Sequence, residues 1–210
     1  MAKQAKFEPG DFVVYPAHGL GKVTAIETRT VAGFELDMLV IEFEKEKMTL
    51  RIPLDKVGAA GLRNLSSKKD MGDALKTLKG RVRVKRTMWS RRAQEYEAKI
   101  NSGSLVQVAE VVRDLFRNAE QPDQSYSERQ IYQAALERLT RELAAVDRTD
   151  EATAQEKLET ILSAASTAAR AAAAAAEAEA NGEEVASDDD STADSPEATA
   201  DDAEAEEEAA

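Results

Sequence analysis

Residues 11–52, DFVVYPAHGLGKVTAIETRTVAGFELDMLVIEFEKEKMTLRI, decide the fold class of the N-terminal part of the chain. They break into short runs rich in Val, Ile, Phe and Thr, at 11–15, 22–30, 34–43 and 48–52, and these side chains suit a pleated strand better than a helix. Between the runs lie turn signals: Gly19 to Gly21, Ala32-Gly33, and the charged stretch from Glu44 to Lys47. Several short strands at such spacing predict a small barrel or curled sheet. The run Leu39-Val40-Ile41 is too continuous for a strand with one wet face. It belongs either in the middle of the sheet or beneath a partner.

After Gly58 and Gly61 the apolar period changes from two towards 3.6. Leu75 and Leu78 mark a short helix, with Ser67 or Asp70 available as its cap and Gly80 as its stop. A second helix is expected over about 89–101, ending at Gly103. The third is the clearest: Ser104 can cap it, and Leu105, Val108, Val111, Val112, Leu115 and Phe116 form one stripe that ends before Pro122. A fourth begins near Ser127 and turns Ile131, Ala135, Leu139, Leu143 and Val146 inward. The fifth includes Leu158, Ile161, Leu162 and Ala165, and can run on through Ala172 to Ala176 but not beyond Asn181 and Gly182. Short helices of this kind need one another, so a compact bundle follows.

The chain of 210 residues has a formal charge of -12, which taken alone argues against a nucleic-acid partner. The sum conceals an asymmetry. All 28 bases lie at or before Arg170, whereas 15 of the 40 acids lie in 171–210, so the part through Arg170 carries a net of +3. Residues 171–210 are almost wholly Ala, Glu, Asp, Ser and Thr, which cannot bury enough surface to order themselves, and a disordered acidic tail is expected. Residues 74–94 hold eight bases and no acid. Such a block is either solvated surface or a site for phosphate.

There is no cysteine, hence no disulfide framework and no thiolate metal site, in keeping with a reducing compartment. No apolar run approaches the 20 or so residues of a membrane span, and residues 1–10 lack the apolar core of a secretion signal. We therefore expect a cytoplasmic protein. No catalytic constellation is visible either. His18 is the only histidine and lies in a Pro-Ala-His-Gly-Leu-Gly turn, where a structural role is the better reading; no cofactor and no metal are expected.

The single tryptophan is more informative. Trp89 stands among Lys85, Arg86, Arg91 and Arg92 at the start of a predicted helix. It either anchors the bundle core, as large aromatics usually do, or wedges at an unstacked base step while the bases around it hold phosphates.

Five segments carry a resemblance: Val14-Tyr15-Pro16 with His18-Gly19; Ile26-Glu27-Thr28-Arg29-Thr30; Leu50-Arg51-Ile52-Pro53; Trp89-Ser90-Arg91-Arg92; and Val108-Ala109-Glu110-Val111-Val112-Arg113-Asp114-Leu115. In this order and spacing they resemble the CarD family of bacterial transcription regulators over about residues 7–165. The resemblance implies an α+β multidomain chain: a Tudor-like β-barrel at 7–60 that docks on the RNA polymerase β subunit, a linker at 61–68, a helical DNA-binding domain at 69–165, and an Ala-rich extension with the acidic tail at 166–210. The same N-terminal module occurs in the transcription-repair coupling factor.

By match of motif, Arg29 and Arg51, on neighbouring predicted strands, take the positions of polymerase-contacting arginines. Trp89 takes that of the tryptophan entering the minor groove at the upstream edge of promoter melting. Arg91 and Arg92 would hold nearby backbone, Arg86 and Lys85 would help, and Arg129 resembles a DNA-facing base. The sequence departs from the pattern at Ala93-Gln94, where relatives often carry an aromatic and a lysine. The resemblance implies a regulator that stabilises the open promoter complex; a monomer is the default expectation and rests on no motif. Two other readings remain open from the residues: a free-standing architectural DNA-binding protein, and a small-barrel module for RNA or the ribosome.

Overall fold

The computed structural model describes residues 7–31, 33–82, 87–117 and 124–183. Five strands come first: β1 (Phe12–Tyr15), β2 (Gly19–Val31), β3 (Phe34–Phe43), β4 (Met48–Pro53) and, after a 3-10 turn at Leu54–Lys56, β5 (Arg63–Asn64). Five helices follow: α1 (Lys68–Leu78), α2 (Trp89–Ile100), α3 (Leu105–Leu115), α4 (Tyr126–Asp147) and α5 (Glu151–Glu183). The β-module followed by an all-α part is therefore the architecture the chain adopts. The acidic tail beyond Glu183, for which disorder was expected, lies outside the described residues.

The strands form one antiparallel sheet in the order β4-β3-β2-β1-β5. β3 lies inside it, flanked by β2 and β4, and Leu39, Val40 and Ile41 are all buried, as their continuity required. One irregularity decides which face the later residues of β2 occupy. Val23 pairs with Ile41 but Ala25 pairs with Val40, so Thr24 is an extra residue on β2. Side chains alternate across a strand, and one extra residue exchanges the faces. Before it Val23 points into the core; after it Ile26 shares the inner face with Leu39, and Ala25, Glu27 and Arg29 are turned outward with Val40. The inner face closes over Phe7, Val13, Val23, Leu39, Ile41, Phe43, Ile52, Val57 and Leu62.

The second core is built around α3, whose predicted stripe is buried along Leu105, Val108, Val111, Val112 and Leu115, with Phe116 half-buried at the end. Met71, Ala74 and Leu78 of α1, Ala135, Leu139 and Leu143 of α4, and Leu158 and Leu162 of α5 pack around it. Each fully buried Leu or Val there contributes about 1.5–3 kcal/mol. Ser67 caps α1 in a capping box with Asp70, so both candidate caps take part, and Ser125 does the same for α4 with Glu128. Ser104 precedes α3 without a side-chain cap. α5 continues through Ala172 to Ala176 and past Asn181 and Gly182 to Glu183, further than propensity alone suggested.

The described residues up to 171 form one compact unit, and 172–183, the end of α5, belong to a second. Within the first unit the sheet and the bundle meet through polar side chains. Arg63 of β5 donates from Nη1 and Nη2 to Glu142 of α4, at 2.6 and 2.8 Å, and from Nε to the Gly103 carbonyl at 2.6 Å. Segment 61–68, read as a linker, thus carries both β5 and this clamp. Arg138 donates to the Pro16 carbonyl at 2.7 Å, to Ile100 at 2.8 Å, and to Ala17. Lys45 pairs with Glu137. Pro16 sits between Gly61 (φ +72) and Gly103 (φ +74); a Cβ at either would come within 3.1 or 3.3 Å of its Cγ, so left-handed backbone and close approach both demand glycine there.

Candidate nucleic-acid and protein-docking surfaces

Trp89 is the first residue of α2, and Met88 before it supplies no side-chain cap. The indole is half-buried: it rests on the helical core, tilted against Tyr96 with ring centroids 6.4 Å apart. The ring is thus anchored on the core on one side and accessible on the other. Its Nε1–H donates to Ser127 Oγ on α4 at 2.9 Å. The guanidinium carbon of Arg92 lies 5.4 Å from the ring centroid, a cation–π contact.

The predicted DNA-binding bases do not share one environment. Arg91 and Arg129 are exposed, and neither enters an ion pair among the described residues. Arg92 is turned inward: only 19% of its side chain is exposed, Nη2 lies 3.9 Å from Glu128, and Nε has no partner. It supports the indole before it can meet any phosphate. Lys85 and Arg86 lie outside the described residues. Two large exposed side chains that the sequence reading did not single out, Met88 at 79% and Tyr126 at 77% exposure, adjoin Trp89 and Ser127 along the chain. Tyr126 opens α4 next to Ser127, so an exposed apolar or aromatic side chain stands at the start of each of α2 and α4. The pattern Ser125-x-x-Glu128 was the legible signal for that second helix start.

On the β-module, Arg29 and Arg51 are not on neighbouring strands. β3 lies between β2 and β4. The bulge nevertheless puts both arginines on the outer face, where Arg51 is in register with Val40 and Ala25. Glu27 joins them, its Oε2 lying 3.2 Å from Arg29 Nε and 3.8 Å from Arg51 Nε. The two guanidiniums therefore converge on one carboxylate position, the arrangement that a planar fork makes possible. Further along the same face the β2–β3 hairpin exposes Val31 and, at 72%, Phe34. His18, read as a turn residue, has Nδ1 2.6 Å from Glu46 and its ring stacked on Tyr15. Among the described residues no cluster of His, Asp and Glu is placed to hold a metal ion, and no helix is long and apolar enough to cross a membrane.

Residues 7–66 match the family model of the CarD-like/TRCF RID domain, and residues 73–159 match that of the CarD C-terminal domain. The chain belongs to the CarD family. The protein named "Putative transcription factor YdeB" of Bacillus subtilis (strain 168) is 29% identical over 140 residues, which span 67% of this chain and 92% of that one. The solution NMR structure of the 72-residue N-terminal domain of Myxococcus xanthus CarD is 33% identical over 30% of this chain and 89% of its own, with a TM-score of 0.25. In CarD terms the first matched module ends at Ser66 and includes β5, while the second begins within α1. The Arg63–Glu142 clamp thus joins one CarD module to the other.

Proposed function

We propose that this CarD-family protein is a transcription regulator that binds the RNA polymerase β subunit through the outer face of its β-module. Its helical module then contacts promoter DNA in the minor groove at the upstream edge of melting and stabilises the open complex. The observation that carries the reading is Trp89: half-buried at a helix start, with Arg92 over its ring and with Arg91 and Arg129 exposed two residues along from Trp89 and from its hydrogen-bond partner Ser127. A side chain that wedges at an unstacked base step has to be apolar, reachable and flanked by cations that hold phosphates. Arg29 and Arg51, gathered around Glu27, suit a carboxylate-bearing partner. The protein acts by linkage, without catalysis. If the DNA contacts favour the open state by about 1.4 kcal/mol, the closed-to-open equilibrium moves tenfold.

The test is a pair of variants. Trp89→Ala should leave polymerase capture intact and shorten the lifetime of open complexes; equal lifetimes would remove the wedge. Arg29→Glu and Arg51→Glu should each abolish capture of polymerase in a pull-down, and capture that survives both changes would dismiss the docking face.

A further inference from the structure

We infer that the first turn of α4 is the mount that aims Trp89, with Ser127 as the positioning residue that sets the direction of the indole. The inference deepens the proposed function and rests on its reading of Trp89 as the DNA contact. The helix that carries Trp89 packs the faces of its ring, through Arg92 and Tyr96, and leaves the polar edge without a partner of its own. As the first residue of α2, the side chain has no preceding helical turn to lean on, and Met88 gives no side-chain hydrogen bond. What fixes that edge comes from the other helix.

Ser127 Oγ accepts the indole N–H at 2.9 Å and so defines the ring's edge. Arg92 lies over the ring at 5.4 Å, and Glu128 stands 3.9 Å from that guanidinium through Oε1. Through Oε2 the same Glu128 accepts the Ser125 backbone N–H at 3.1 Å, while Ser125 Oγ accepts the Glu128 N–H at 3.3 Å. The capping box that starts α4 is therefore continuous with the support of the tryptophan: Ser125 holds Glu128, Glu128 faces Arg92, Arg92 covers Trp89, and Ser127 takes its N–H. An aromatic side chain held in its working direction before contact gives up less rotational freedom on binding, so the mount converts directly into occupancy of the DNA site.

Trp89 is the only tryptophan in the chain, so its fluorescence reports this side chain alone. The experiment compares Ser127→Ala, Ser127→Val and Ser127→Thr in the full-length protein. Val and Thr have the same shape and differ in the hydroxyl, which separates the hydrogen bond from steric effects. Loss of one hydrogen bond of ordinary strength predicts that Ala and Val shorten open-complex lifetime about fivefold. In the free protein both should increase fast depolarisation of Trp89 emission. Thr should restore both readouts, with polymerase capture and circular dichroism unchanged throughout. If Ala and Val match wild type in depolarisation, the mount is overturned, whatever the lifetimes. If instead Trp89→Ala itself leaves lifetime unchanged, the DNA reading falls, and the depolarisation series still decides whether Ser127 holds the ring. Equal behaviour of Thr and Val also overturns the inference, because shape and not the hydroxyl would then be responsible.

Discussion

Glu142 is a carboxylate with 6% of its side chain exposed, and it survives there because three donors reach it. Arg63 supplies two of them, and the Ser66 hydroxyl, at 2.6 Å, the third. The two residues are 79 positions apart and neither belongs to a recognisable motif, so nothing local in the sequence announces the pair. Arg29 and Arg51 were legible as candidates through their motifs, yet their convergence depends on Glu27 and on the bulge at Thr24, which no alternation of residue types records. A buried pair is expensive to break and often cheap to replace. We expect Arg63→Ala to lower the stability of the protein by about 3 kcal/mol, because it strands the Glu142 charge. The double variant Arg63→Met with Glu142→Leu should recover most of that loss. Urea unfolding of the two variants measures the difference, and a double variant less stable than Arg63→Ala would show that the clamp contributes more than its own desolvation costs.

Among the elements, those with a long apolar period were readable and the short ones were not. α3 and the four longer strands follow from their patterns, whereas β5 is two residues long and has no pattern to read; pairing with β1 alone defines it. α5 runs on through Asn181 and Gly182 to Glu183, although these two residues are weak helix formers and were expected to stop it. The packing of α4 makes a prediction at this scale. Tyr132 is half-buried, with its ring 6.5 Å from Phe116, and its phenol is pushed up to about 12, mainly by burial and further by the charge of Glu159. In the unfolded chain the same group ionises near pH 10. Between these values the native state keeps a proton that the unfolded state has lost, so stability present below about pH 10 drains away as pH rises towards about 12. Tyr96, also raised chiefly by burial, adds a fall of the same sign. Tyr132→Phe should therefore flatten, without abolishing, the alkaline loss of stability followed by chemical denaturation from pH 9 to 12, roughly the span between the two titrations. An unchanged slope would mean that the Tyr132 phenol is already free to ionise in the folded bundle.

For the molecule as a whole, the distribution of charge separates an adaptor from an independent DNA binder. The part through Arg170 is only +3, and of the predicted contacts that are described, Arg91 and Arg129 face solvent while Arg92 is engaged with Trp89 and Glu128. Adding Lys85 and Arg86 to the two exposed arginines makes about four phosphate contacts, for which log K should fall with log salt at a slope of about -3.6. A protein that coats duplex DNA with the whole basic block of residues 74–94 would engage about eight phosphates and show about -7. We expect the isolated protein to bind duplex weakly and with the shallower slope, because under the proposed function polymerase docking would supply the remaining affinity by holding the helical module next to the promoter. The measurement is a salt titration of binding to a labelled duplex with the full chain and with a chain cut after Arg170. A steep slope in the full chain favours the free-standing binder. A shallow slope in the full chain that steepens after the cut would instead assign the 15 acids of the tail a competitive role against phosphate.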